Sequence, residues 1–236
     1  MKKIITILGA LILTTISISS SNAGSYGIGV TGNYTKIDAS GTETSDGNSA
    51  VSGSYDNKAV IGSIFAEYSA DDASWATKGN GFTIGAQYFP GSADVSDKTI
   101  TSTINPGTSG EGDTGTKSAN ASLEKYRNFY IEVPLYMSLY VKAGYAQVDV
   151  ITKDSSSITK NDADSASVGT YGDKTLHGTN LGIGFKGVTD SNIIWKLAYE
   201  TTNFDTLNLT STGGSTTTVK ADLDTSEINL SLGYRF

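Results

Sequence analysis

The chain ends in a stretch where apolar and polar residues alternate without interruption. Its apolar members are Ile228, Leu230, Leu232, Tyr234 and Phe236, and Asn, Ser, Gly and Arg stand between them. Successive side chains of a β-strand point to opposite sides, so this period of two predicts a strand with one apolar face and one polar face. Such a strand has to separate two environments of different polarity.

Seven earlier segments show the same alternation, so we predict eight strands in all. Their polar faces consist mostly of Gly, Asn, Thr and Ser, with a few charged residues. No segment after residue 24 approaches the roughly 18 consecutive apolar residues of a membrane helix. The sequence therefore predicts an all-β protein. The apolar faces of the seven segments are Tyr26, Ile28, Val30 and Tyr34; Val60, Ile64, Ala66 and Tyr68; Phe82, Ile84, Ala86 and Tyr88; Phe129, Ile131, Val133 and Leu135; Leu139, Val141, Ala143 and Tyr145; Leu181, Ile183 and Phe185; and Trp195, Leu197 and Tyr199.

The connections between the predicted strands alternate strictly between long and short. The long ones cover 39–57, 90–123, 152–175 and 205–222, and the short ones lie near 70–80, 136–138 and 187–191. In an up-and-down meander this alternation places every long connection at one end. An even number of strands of about 10 residues, with short turns and long loops at opposite ends, is typical of a transmembrane β-barrel. We therefore predict an eight-stranded antiparallel barrel with four long external loops and three short periplasmic turns.

The polar faces carry seven charged residues in mid-strand, and these decide which face meets lipid. A water-soluble barrel would turn its charges outward and its apolar face inward, whereas a membrane barrel reverses this arrangement. The loop alternation and the N-terminal segment favour the membrane barrel. An isolated buried charge costs several kcal/mol, so we predict that the charges form an interior network of ion pairs. The predicted network consists of Glu67, Glu132, Lys142, Lys186, Lys196, Glu200 and Arg235.

The N-terminal segment has the three parts of a secretory signal peptide. Lys2 and Lys3 precede an apolar run over 4–13, and Ser21-Asn22-Ala23 provides a small-x-small cleavage site. The apolar run is shorter than the roughly 20 residues that a spanning helix needs. We therefore predict a signal peptide over 1–23, cleaved after Ala23, and a single barrel domain over 24–236.

Composition excludes several kinds of site. The absence of Cys excludes disulfides, thiolate metal sites and cysteine nucleophiles, and a single His excludes multi-His metal centres. A net charge of −7 disfavours nucleic acid as a partner, because binding phosphates requires clusters of Lys and Arg. We predict no cofactor and no metal ligands.

Taken together, the signal peptide, the alternating strands and the terminal strand resemble the eight-stranded outer-membrane barrel superfamily of OmpA-, OmpX- and opacity-type proteins. The resemblance implies a Gram-negative-type outer membrane, contact with its lipids, and a monomer. It also implies that the strand Ile228–Phe236 is what the barrel assembly machinery recognises. OmpA-type proteins often continue into a periplasmic domain, and we expect none here because the sequence stops at Phe236.

Two non-enzymatic functions are compatible with such a barrel. The predicted loops are acidic and rich in Gly, Ser and Thr, which suits a hydrated surface for cell contact. Alternatively, the barrel could be a narrow pore for small solutes. Eight strands enclose only enough space for side chains or one small ligand, but inward glycines such as Gly27, Gly144 and Gly182 could leave a thin water path. We predict the surface role, with the pore as the alternative.

An enzymatic function is a weaker third hypothesis. His177-x-Thr179 resembles the His and Ser pair of an outer-membrane lipid A deacylase, although Thr replaces the nucleophile. His177 has the parity of lipid-facing Leu181, and Glu200 has the opposite parity. Omptin-type proteolysis requires ten strands with acidic pairs and fits less well. We therefore predict no catalytic residues.

Overall fold

The computed structural model describes residues 24–45, 50–72, 76–95, 100–104, 114–159, 171–212 and 217–236. The predicted signal peptide and its cleavage site at Ala23 lie outside these residues. Among the described residues, no helix is long and apolar enough to cross a membrane. The strands are β1 (Ser25–Ser45), β2 (Val51–Asp72), β3 (Gly81–Tyr88), β4 (Ser92–Asp94), β5 (Ile100–Ile104), β6 (Thr114–Tyr136), β7 (Leu139–Thr159), β8 (Lys174–Val188), β9 (Ile193–Phe204), β10 (Leu207–Thr210) and β11 (Thr217–Arg235).

Eight of these strands form a closed antiparallel ring. Their order is β1-β2-β3-β6-β7-β8-β9-β11, and β1 pairs with β11 to close it. The short strands β4 and β5 pair with β6 beyond the end of β3, and β10 pairs with β11 beyond the end of β9. The predicted all-β, eight-stranded up-and-down barrel is confirmed. Closure removes the open sheet edges that hydrocarbon could not solvate.

Four of the strands are much longer than the sequence pattern predicts, whereas β3 and β9 have 8 and 12 residues. β1, β2, β6 and β7 have 21 to 23 residues, although about 9–11 suffice to cross the hydrocarbon. Within the stretch 39–57, predicted as a loop, Ser40 pairs with Ser54 and Gly41 with Gly53. That boundary was wrong, because the Gly, Ser and Thr residues there carry no apolar alternation and are held in the sheet by the neighbouring ladder. The connection 39–57 is therefore largely an extended hairpin, and β10 pairs with β11 across the connection 205–222.

Toward the outer end of the barrel, the outward face of the wall changes from apolar to polar, and the inward face changes from polar to apolar. On β1, the outward side chains of Ile28, Val30 and Tyr34 are about half exposed, and the next outward residues are Lys36 and Asp38. Beyond this level the outer surface is polar and the interior is apolar. In a membrane barrel such a change would mark the upper edge of the lipid band, because above it the wall would face water as in a soluble barrel.

An apolar cluster fills the outer part of the interior. The prediction of a polar interior did not include this cluster. Its buried members are Ile37, Ala93, Leu123, Ala146, Val148, Val150, Leu176, Phe204 and Leu223.

Candidate functional site

The lower interior holds a compact cluster of ion pairs. Lys196 contacts a carboxylate oxygen of Glu67, and its Nζ lies 2.9 Å from Oε1 of Glu132. Lys186 Nζ lies 2.9 Å from the other oxygen of Glu132. These side chains are at most 6% exposed, so water screens their attraction very little. The sequence predicts all four, and the structure brings them together.

A second pair lies next to this cluster. Lys142 donates to both carboxylate oxygens of Glu200 at 2.8 Å, and the two side chains are 5% exposed. The Lys142 ammonium also stands 4.2 Å from the ring centroid of Tyr130, whose hydroxyl donates to Glu67 at 3.0 Å. The aromatic rings thus supply favourable contacts to the ammonium groups where water is excluded.

Two further charged residues stand at the edges of this cluster, Arg235 beside the small cavity that Glu67 and Lys196 line. Arg235, predicted within it, is only partly buried and donates from Nε to Ser25 Oγ near the periplasmic end. Glu227 is a buried interior carboxylate that the prediction missed. It lies one residue before the apolar pattern that begins at Ile228 and shares the parity of Asn229, so extending the pattern by one residue would have found it.

The turn between β2 and β3 closes the periplasmic end. The Lys78 carbonyl accepts from Val188 N at 2.9 Å, and the Thr77 N–H donates to the Met137 carbonyl at 3.2 Å. The fully buried Asn80 amide donates to the carbonyls of Met137 and Leu139. This one turn is therefore bonded to the ends of β7 and β8, which are not its neighbours in the ring.

The inward glycines do not open a water path. A Cβ on Gly144 would stand 2.3 Å from Asn128 Oδ1, and one on Gly182 would stand 2.8 Å from Glu200 Cγ. At Gly27 the nearest atom, of Ile194, would be 2.5 Å away. The spaces found among the charged side chains are about 20 and 10 Å³, which is room for about one water molecule each.

An open apolar cavity of about 370 Å³ lies at the outer end of the barrel. Strands β1, β2, β6, β7, β8, β10 and β11 contribute to its wall, and two carboxylates, Glu43 and Asp222, lie among the lining residues. Its volume is in the range of ordinary small-molecule sites. Representative apolar lining residues are Val51, Leu123, Leu176, Leu209, Val219 and Leu223.

His177 lies on the outer surface of the barrel wall. Its Nδ1 is 2.7 Å from the hydroxyl of Tyr145, and the two rings stack with centroids 5.7 Å apart. Thr179 is also exposed on this face, whereas Glu200 is buried in the interior. The structure therefore separates Glu200 from His177 and Thr179, as their parity in the sequence predicts.

Comparison with known proteins gives matches among solved structures alone. No protein-family model matches the chain, and no curated protein matches it. The outer membrane protein OprG from Pseudomonas aeruginosa is similar at 11% identity and a TM-score of 0.49, covering 93% of this chain and 99% of OprG.

Two other matches are more distant. Ail, the attachment invasion locus protein of Yersinia pestis, is 12% identical with a TM-score of 0.33, over 88% of this chain and 99% of its own. The outer membrane protein AlkL, solved in lipid bilayers, is 13% identical with a TM-score of 0.39, over 93% of each chain. The resemblance to small outer-membrane barrels concerns the fold alone.

Proposed function

We propose that this chain is a non-enzymatic outer-membrane barrel that binds a small apolar molecule at its cell-surface end. The observation that carries the proposal is the apolar cavity of about 370 Å³, which opens outward above a filled interior. None of the described residues covers this apolar surface, and apolar surface exposed to water is unfavourable unless a partner covers it. This proposal gives the surface role predicted from the sequence a specific candidate site, the outer cavity.

The filled interior favours binding over conduction. The apolar cluster around Ile37 and Phe204, the ion pairs, and the turn at Asn80 lie one below another along the barrel. Conduction through a pore requires a connected path in which an ion or solute finds replacements for its water. The narrow pore expected as the alternative therefore has little support from the geometry.

The cellular setting is part of the same proposal. We place the barrel in the outer membrane as a monomer, after export and cleavage following Ala23. The assembly machinery would recognise the strand Ile228–Phe236, which forms the end of β11. The support is the closed ring and the exposed apolar band, in which Leu230 and Leu232 are 59% and 54% exposed. Lipid would cover this band.

Octanol titration of the methyl-labelled barrel in nanodiscs tests the binding site. We expect saturable chemical-shift changes at Leu209, Val219 and Leu223, which line the cavity. The lipid-facing methyl groups of Leu230 and Leu232 should shift only in proportion to the octanol dissolved in the bilayer.

A matched pair of variants separates the cavity from the membrane. Ala221→Phe places a ring in the cavity, and Ala143→Phe places the same ring on the exposed face of β7. Only Ala221→Phe should abolish the saturable changes, and a shifted band in unboiled samples on a gel verifies that both barrels fold. Equal, linear titrations in the two variants would contradict the proposal.

A further inference from the structure

The interior holds a fourth buried carboxylate that no lysine matches. Among the described residues, the buried acidic side chains are Glu67, Glu132, Glu200 and Glu227. The buried basic side chains are Lys142, Lys186 and Lys196. The first three carboxylates and all three lysines take part in ion pairs. Glu227 has no ion pair within 4.0 Å among the residues that the structure describes. One buried carboxyl group therefore has no basic partner among the ion pairs of the described residues.

Polar atoms without a hydrogen-bond partner surround this carboxylate. On β11, Thr225 and Asn229 flank Glu227 on the same face, and the register pairs Glu227 with Thr35 on β1 and Glu200 on β9. The side chains of Thr225 and Asn229 stand within hydrogen-bonding reach of the Glu227 carboxyl group. The hydroxyl oxygens of Thr35 and Thr225 and both polar atoms of Asn229 are nevertheless buried without a hydrogen bond of normal geometry. Because buried polar groups in folded proteins are nearly always satisfied, such a group of atoms indicates a bound water or ion.

We propose that Glu227, Thr35, Thr225 and Asn229 form a binding site for a small monovalent cation such as Na⁺. The candidate ligands are all oxygens, which hard cations prefer. A single positive charge would neutralise the interior, whereas a divalent ion would leave an excess positive charge in a region of low dielectric. The described residues contain no group of three or more His, Cys, Asp or Glu side chains suited to a metal, so this site depends on neutral oxygens beside one carboxylate.

Space for hydration exists beside the site. Asn229 and Glu200 both line the interior cavity of about 20 Å³, which has room for about one water molecule. The site lies below the apolar cluster, since Thr225 and Glu227 follow Leu223 along β11 toward the periplasm. Thr225 pairs with Ile37 of that cluster in the register, so the site adjoins its lower edge.

Unfolding by urea in detergent micelles tests the site. The full barrel is compared in NaCl and in choline chloride at equal ionic strength. At ten times its dissociation constant, Na⁺ should lower the unfolding equilibrium constant about tenfold. Glu227→Gln should remove this dependence, because the amide is neutral. Asp224→Asn, an exposed change on the same strand, should retain it.

An infrared measurement provides a second readout that does not require the variant to fold. At neutral pH, replacing choline by Na⁺ should shift a carboxylate band of the wild-type barrel, and Asp224→Asn should show the same shift. The absence of Na⁺ dependence, equal dependence in Glu227→Gln, or a protonated carboxyl band that Na⁺ leaves unchanged would overturn the proposal. Stabilisation by Ca²⁺ and not by Na⁺ would overturn the monovalent assignment.

Discussion

At the scale of single residues, Lys196 connects more of the interior than any other cation in the described ion pairs. It contacts both Glu67 and Glu132, and its ammonium stands 5.2 Å from the ring centroid of Phe65. A buried ion pair adds little net stability compared with an apolar pair, because both charges lose their water. Removing one partner is different, because the other charge is left buried and unpaired.

Lys196→Met should therefore destabilise the barrel strongly. Two carboxylates would lose their shared cation, and breaking such a pair costs about 3–5 kcal/mol. Lys220→Met, at an exposed position of β11, should change the free energy of unfolding by no more than about 0.5 kcal/mol. Urea midpoints of the two variants in the same detergent measure the difference, and equal midpoints would contradict a paired interior.

Arg235→Leu should have an intermediate effect. Arg235 is only partly buried near the periplasmic end, where it donates to Ser25. Its loss removes a charge-assisted hydrogen bond, worth about 1.5–3 kcal/mol, and Arg235 is less buried than Lys196. A urea midpoint as low as that of Lys196→Met would show that Arg235 belongs to the central network.

At the scale of elements, the strands that the sequence predicts are those in which lipid imposes the alternation. β11 is an example, since its apolar residues from Ile228 onward face outward in every second position. Above the lipid band the same strand continues through Asp224 and Asp222, where the outward residues are polar. The period of two then carries no apolar signal, so the ends of the long strands could not be predicted from composition.

The interior shows a similar division between what was predictable and what was not. Parity alone places Lys142 and Glu132 inside the barrel. It does not reveal that Asn80, which belongs to a turn, is completely buried against Leu139 and Met137. Its hydrogen bonds join segments that are 57 and 59 residues apart in sequence. Contacts of this kind depend on the diameter and closure of the ring, which no local pattern contains.

Two substitutions on β11 test where the lipid band ends. Leu232→Arg puts a charge on the lipid-facing wall and should cost about 2–4 kcal/mol if it lies near the middle of the bilayer. Asp224→Arg has the same parity eight residues earlier, above the band, and should cost about 1 kcal/mol or less. Folding yields into lipid vesicles at increasing urea measure both, and equal costs would place the band elsewhere.

At the scale of the whole molecule, the barrel is open at its outer end only and encloses no continuous channel among the described residues. Its outer end holds an apolar cavity, its middle is filled by packed side chains, and its periplasmic end is closed by a turn. Eight strands leave an interior that side chains can fill, and here they fill it. We expect the wall to meet lipid over only the lower part of its height, where the exposed side chains are apolar.

Because the interior is filled, we expect the barrel not to conduct ions. Purified barrel inserted into a planar bilayer should show no single-channel steps at any voltage that the bilayer withstands. Asn80→Ala removes hydrogen bonds at the periplasmic turn but leaves the ion pairs in place, so it should be silent as well. Regular steps in the wild type would revive the pore alternative.

The most direct test of the closed interior uses single introduced cysteines. The chain has no native cysteine, so each introduced cysteine reports on its own region. A polar, membrane-impermeant maleimide is added to folded barrels that carry Leu209→Cys in the outer cavity or Ser231→Cys beside Lys196. The structure predicts rapid labelling of Leu209→Cys from the outer side and none of Ser231→Cys from either side. Labelling of Ser231→Cys as fast as that of Leu209→Cys would contradict the closed interior.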